Sequence, residues 1–347
     1  MMIKVNMEAG MKREWRAVLR RTMVSGMLVG LGWMVAYGQE QKPASAAPQV
    51  TDAERKAIEK INTGANPEAK MKAAGDFMKK HAKSSLRPRV ATYVADEIAR
   101  VTNRQQRASL IQNYMSLFNL PEEGDQVRPQ LIEDLLEAGK FDQALGEASQ
   151  YLSRNPDDVT VHISVAWAGA NQIQKQSASP KLVEAANLSS AKAVEMMEAD
   201  QRPARFTPES WTAYRDSWLY RLYQARGLML YSANDKTQAK ENLEKSAGLE
   251  PYDPSTLMML VNITNEEYQT LAQQYQKEKK DDLLTKALER MDEVIEWLAR
   301  AVAATDGKEE MKVINQSSRE NLEAYYSFRH EGKTDGLKAL IDKFRRP

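Results

Sequence analysis

Residues Gln130–Asp158, QLIEDLLEAGKFDQALGEASQYLSRNPDD, decide the fold. Leu131, Leu135 and Leu136 recur at helical spacing in the first half, and Phe141, Ala144, Ala148, Tyr151 and Leu152 in the second. Between them stands Ala138-Gly139-Lys140, with a glycine where a chain leaving a helix adopts left-handed backbone. Asn155-Pro156 then stops the second helix and opens whatever follows. The segment reads as two short amphipathic helices folded back on each other, with alanine allowing close approach.

The pattern returns in LYRLYQARGLMLYSANDKTQAKENLEKSAGLEPYDP, residues 219–254. Gly227 takes a close-approach position in the first helix, Asn234-Asp235-Lys236 is the turn, and Ala239, Leu243 and Ala247 face inward. Pro251 lies twelve residues after Ala239, just as Pro156 lies twelve after Ala144. A weaker unit lies between: a helix from Val161 to Lys175, an intervening QSASPKLVEAANL, and a second helix from Ala191 to Asp200, with Pro203 twelve residues after Ala191. Thr207-Pro208-Glu209 marks the next helix start.

These two units resemble the tetratricopeptide repeat (TPR), whose pattern places a small residue in the second helix, a turn glycine and a closing proline; Gly139, Phe141, Ala144 and Pro156 stand at those places. The resemblance covers about 120–345 and implies an all-α fold, a right-handed α-solenoid of TPR-like helical hairpins. Upstream, Thr51 and Glu54 have capping-box spacing, and Asn66-Pro67-Glu68 opens another helix carrying Met71, Ala74, Phe77 and Met78. A turn at Ser84-Ser85 leads to a helix with Val90, Tyr93, Val94 and Ile98 on one face. FMKKHAKSSL, residues 77–86, is similar to repeats of envelope-associated TPR proteins, in which a proline usually stands at Ala82. Downstream, 255–279 and 283–304 read as two long helices, and 313–344 as a terminal cap turning at 332–336.

Residues 1–38 read as an export signal. Lys12, Arg13, Arg16, Arg20 and Arg21 precede an uncharged Thr22–Gly38, and Ala36-Tyr37-Gly38 offers small residues for cleavage before Gln39. An uncleaved anchor over 22–38 is the alternative. Residues 39–50 then form a linker rich in glutamine, alanine and proline, followed by helical hairpins over 51–119, TPR-like repeats over 120–254, and a long hairpin with capping helices over 255–347. The whole chain has 49 basic and 48 acidic residues; without six basic and two acidic residues of the signal it carries 43 and 46, a net of −3. That balance gives nucleic acid no electrostatic footprint. Exported, the chain is expected in the periplasm, with secretion or anchoring by residues 22–38 as the alternatives, and with membrane contact only if the signal is retained.

Nothing in the sequence assembles catalytic chemistry. Cysteine is absent, which removes thiolate nucleophiles, zinc–thiolate sites, disulfides and a lipoprotein anchor. His81, His162 and His330 are far apart, and no nucleophile elbow or phosphate loop appears. Pairs such as Glu122-Glu123, Glu266-Glu267 and Glu309-Glu310 read as solvated helix faces. No metal or cofactor is therefore expected. The suggestive feature is aromatic: Trp211, Tyr214 and Trp218 share one helical face, with Tyr220, Tyr223 and Tyr231 close behind. They serve either as packing between helices or as a partner groove, since tyrosine and tryptophan bind well at low entropic cost. Trp167 and Trp297 are expected in the core. The sequence thus points to a non-catalytic scaffold taking a protein or extended peptide. The alternative is a binder of small molecules or glycans using the aromatics of 211–231, and the third reading is a helical enzyme with two facing carboxylates.

Overall fold

The computed structural model describes residues 50–346, and among them every regular element is a helix. The all-α class follows directly. Two compact units divide between Val165 and Ala166, inside one helix.

The first unit holds α1 (Asp52–Asn62), α2 (Pro67–Lys80), α3 (Arg87–Ala99), α4 (Arg104–Leu117), the single turn α5 (Pro121–Gly124), α6 (Arg128–Glu137), α7 (Phe141–Leu152) and the start of α8 (Val159–Gln174). The capping box forms as the spacing indicates. Thr51 Oγ1 accepts the Glu54 N–H at 3.2 Å, and Glu54 Oε2 accepts the Thr51 N–H at 2.8 Å. Glu54 also accepts the Ser84 hydroxyl at 2.5 Å, which ties α1 to the turn before α3. Asn66 caps α2 by accepting the Ala69 N–H at 2.8 Å, with Pro67 in the first turn. Phe77, Val90, Ile98, Ile111, Tyr114 and Phe118 close the core of α2–α4. In α6, Ile132 and Leu136 are buried while Leu131 and Leu135 are only half-buried. Asp134, on another side of the same helix, is drawn in by Arg107 of α4, so α6 is covered on more than one side.

Arginine–carboxylate pairs staple this unit. Arg87 grips Glu123 bidentately at 2.5 and 2.8 Å, Arg107 pairs with Asp134, and Asp125 receives both Arg128 at 3.0 Å and Arg154 at 2.9 Å. Burial alone would push Glu123 up, but the Arg87 hydrogen bonds and charge outweigh it and the carboxyl ends below its ordinary value. Asp125 is lowered in the same way against its own burial, by Arg154, Asn155 and Arg128. The Ser84 hydroxyl and the Thr51 cap take Glu54 down to about 2 from 4.5. Because these folded values lie below the unfolded ones, their stabilisation is complete above the ordinary carboxylate range and is lost as pH falls through the depressed values. Acid titration followed by far-UV circular dichroism should show helix loss setting in at higher pH in Glu123→Gln than in the parent; an unchanged midpoint would count against the Arg87 pair.

The second unit contains the rest of α8, then α9 (Pro180–Glu198), α10 (Pro208–Ser232), α11 (Lys236–Leu249), α12 (Pro254–Glu278), α13 (Asp281–Thr305), a 3-10 turn (Glu309–Met311), α14 (Lys312–Arg329) and α15 (Leu337–Lys343). Successive helices pack as neighbours: α9 on α10, α10 on α11, α11 on α12, α12 on α13 and α13 on α14. Leu322 of α14 and Ile341 of α15 close over Met291, Val294 and Leu298 of α13, so residues 313–344 cover the last hairpin.

The middle unit differs from the sequence expectation. Residues 176–188 are not an interruption: Ser179 accepts the Leu182 N–H, Pro180 occupies the first turn, and α9 runs 19 residues from there. The register differs too. A Cβ on Gly169 would collide with Ala186 and lies 3.5 Å from the Leu182 carbonyl, so α8 and α9 meet there; Ala191 is half-buried elsewhere on α9. Gly227 repeats the device as anticipated. A Cβ there would lie 2.6 Å from Leu243 Cγ and 3.2 Å from the Ala239 carbonyl. Gly227→Val is therefore expected to force α10 and α11 apart at a cost of about 1–3 kcal/mol. Urea unfolding checks it, and a midpoint equal to the parent's would show that the helices part freely.

Candidate interaction surface

The six aromatic residues read as a candidate groove divide into four that pack and two that are half-exposed. Trp211, Tyr214, Trp218 and Tyr223 are buried. Phe206 lies 5.6 Å from Trp211 and 5.0 Å from Tyr214, and Trp218 meets Trp167 of α8 edge-on at 6.0 Å and 84°. Trp211 Nε1 donates to Asp200 at 2.7 Å, and the Tyr223 hydroxyl donates to Glu198. Burial first, and that hydrogen bond second, push the Tyr223 hydroxyl up. Tyr220 and Tyr231 are half-buried. The Tyr231 hydroxyl donates to Glu266 of α12 at 2.6 Å and is pushed up to about 12, by burial first and then by that carboxylate. Trp211 and Tyr214 are thus covered by Phe206 of the connection before α10, Trp218 meets Trp167 of α8, and Lys245 of α11 lies over Tyr223. Trp167 and Trp297 depart from expectation in the other direction, both being half-buried. Trp297 is covered by the Arg300 guanidinium at 4.8 Å rather than by apolar core alone.

What the second unit leaves to solvent is sorted by chemistry. On α12, Glu266 reaches Tyr231 of α10 to one side, while Asn265 accepts the Tyr325 hydroxyl of α14 on the other. The strip between those contacts carries Asn262, Gln269, Gln273 and Gln276, all exposed and all uncharged. The acidic residues of this stretch of α12 are paired, Glu266 at the edge of the strip and Glu267 beyond it. Glu266 meets Lys236 at 2.8 Å, and Glu267 meets Lys240 at 3.1 Å beside Arg290. Asn321 and Phe328 extend the uncharged strip on α14, with Phe328 72% exposed. On α10 the corresponding strip holds Ser217, Leu228 and a single cation, Arg221. Among the described residues no carboxylate pairs with Arg221. Its Nε donates to the Tyr220 hydroxyl at 2.8 Å, and its guanidinium lies 5.6 Å from the Trp218 ring and 5.3 Å from that of Tyr220. The partner helices differ sharply. α9 exposes Lys181, Glu184 and Glu195, α11 exposes Glu241, Glu244 and Lys245, and α13 exposes Asp282, Lys286 and Glu289.

No group of three or more metal-ligating side chains occurs among the described residues. The histidines stay apart: His81 packs on Phe77 at 5.3 Å, His330 on Tyr326 at 4.1 Å, and His162 Nε2 lies 2.9 Å from the Pro156 carbonyl. Among the described residues no helix is long and apolar enough to cross a membrane.

The chain is similar to a tetratricopeptide repeat protein from Parabacteroides merdae. That solved structure shares 12% identity over 84% of this chain and 94% of its own, with a TM-score of 0.36. No family model and no curated protein matches the chain. The helical-hairpin assignment therefore stands on this chain's own capped helices and close approaches. The strip of amides is present residue by residue in the sequence, but scattered Asn and Gln give no generic binding signal, whereas large rings do.

Proposed function

We propose that this protein is a non-catalytic interaction scaffold, exported to the cell envelope, that takes a protein or extended peptide along the first helices of its C-terminal hairpins. The observation that carries the reading is the uncharged strip on α12, Asn262, Gln269, Gln273 and Gln276, while α9, α11 and α13 expose carboxylates and lysines. Amide side chains offer a donor and an acceptor each without the desolvation cost of an ion. They suit a ligand whose own backbone presents N–H and C=O groups, with Phe328 supplying apolar contact and Arg221 one fixed positive charge. Export rests on the order of basic, apolar and small residues in 1–38, which lie outside the described residues.

A photo-crosslinking residue placed at Gln273 and, separately, at Glu289 of α13 tests the reading in intact cells of the native host. Adducts of one defined mass are expected from position 273 and not from 289, and the recovered chain should begin at Gln39. Equal adducts from both positions, or none from 273, would remove the strip as the binding face. A chain beginning at Met1 would replace export by a retained leader and leave the strip to stand or fall by its adducts.

A further inference from the structure

One end of the N-terminal unit is basic. Residues 77–95, between Asp76 and Asp96, hold Lys79, Lys80, Lys83, Arg87 and Arg89 and no acidic residue, in a chain whose charges otherwise nearly balance. The last turn of α2, the connection after it and the first turn of α3 place all five at one end of this hairpin. Arg87 is held by Glu123. Lys79, Lys80, Lys83 and Arg89 are exposed, and among the described residues no carboxylate pairs with any of them. Exposed acidic residues stand at this end too, Asp52 of α1 and Glu122 of α5, but the four cations outnumber them. Glu54 is occupied by Thr51 and Ser84.

The fold accounts for part of this charge. Lys79 and Lys80 complement the negative end of the α2 dipole. Arg89 does the reverse: the first turn of α3 has no acidic residue and no side-chain cap, so Arg89 adds a cation at the positive end of a helix. Lys83 lies between the two helices. Cations placed against the dipole and left without a partner call for an anion from outside the chain.

We propose that this end docks on a bilayer surface rich in anionic phospholipid. Flexible lysine ammoniums on an exposed turn suit a diffuse sheet of phosphates, whereas a protein carboxylate favours the fixed fork of arginine. The place of the turn in the chain supports the same partner. Glu54 joins Thr51 to Ser84, so residues 39–50 enter the fold beside the basic turn. Even fully extended, that stretch reaches only about 40 Å, so an export signal still in the membrane would hold this end near the bilayer. Once the signal is gone, the patch keeps the processed chain at the surface. The contact is independent of the strip on α12.

The test uses the chain as its native host leaves it and measures partition onto vesicles of phosphatidylcholine, alone or mixed equally with phosphatidylglycerol. The ratio of the two partition coefficients is the readout, so a leader that binds both membranes cancels. Phosphatidylglycerol is expected to raise partition, and added salt to reverse the gain. Lys80→Gln with Lys83→Gln and Arg89→Gln should cut the gain by up to about 100-fold, at roughly fivefold per cation. Lys72→Gln with Arg100→Gln and Lys140→Gln removes the same charge away from this end and should leave the ratio within about twofold of the parent's. Lys80→Arg with Lys83→Arg should keep the gain, which separates charge from damage to the fold. No gain from phosphatidylglycerol, or equal losses in the two triple variants, overturns the proposal. So does a hexaglutamate peptide that binds more tightly than phosphatidylglycerol, charge for charge, which would give the surface to an acidic protein segment.

Discussion

Trp211→Ala is expected to destabilise the C-terminal unit by about 3–5 kcal/mol. The indole is among the largest fully enclosed side chains, wedged against Phe206 and Tyr214, and its N–H holds Asp200 at the turn entering α10. Truncation removes the ring's packing and leaves a void that neighbouring aromatics cannot fill without leaving their rotamers. Urea unfolding followed by circular dichroism measures the effect, with Phe328→Ala as the comparison. Phe328 is exposed, so its loss should leave the midpoint within about 0.5 kcal/mol of the parent while weakening partner capture. The reverse pattern, a tolerated Trp211→Ala that abolishes binding, would restore the aromatic cluster as the groove.

Asp134→Ala should cost about 3–5 kcal/mol in the N-terminal unit, because it strands a charge. Arg107 and Asp134 side chains are only 12% and 8% exposed, and Arg107 also donates to the Val101 carbonyl at 2.8 Å. Removing the carboxylate leaves the guanidinium facing Glu133, whose own carboxyl burial already holds above its ordinary value. The double replacement Arg107→Met with Asp134→Leu should recover most of the loss, since the desolvation penalty disappears with both ions. If the double variant is as unstable as Asp134→Ala, the cost lies in shape rather than charge. Thermal and urea unfolding of the three proteins separates the two.

Helix starts were legible in the sequence because capping is local chemistry: Thr51 with Glu54, Asn66 with Pro67 and Thr207 with Pro208 all cap where their spacing indicates. The second-helix face of α13, from Ala287 to Val302, was equally plain because it is amphipathic over many turns. The register of α8 against α9 is not given by alanine-to-proline spacing, which selects Ala191. Gly169 was the informative residue, and its partner Ala186 lies before the alanine that spacing selected. Which aromatics would be exposed was not legible. Periodicity places Trp211, Tyr214 and Trp218 on one face without saying that α9 and α8 cover it, and that depends on contacts distant in sequence.

The junctions between helices use little glycine. Gln176, Asp200, Asn234, Lys279 and Glu331 all hold positive φ, while among the described residues glycine does so only at 139, 307 and 332. Left-handed backbone is uphill for most residues with a Cβ, though Asn and Asp adopt it readily, so at Gln176, Lys279 and Glu331 the surrounding helix pairs impose a conformation that the residue itself resists. A turn enforced in this way needs no glycine, so the hairpin can be present where its usual punctuation is not. Its surer mark is a close helix approach such as those at Gly169 and Gly227, where a side chain would collide with the facing helix.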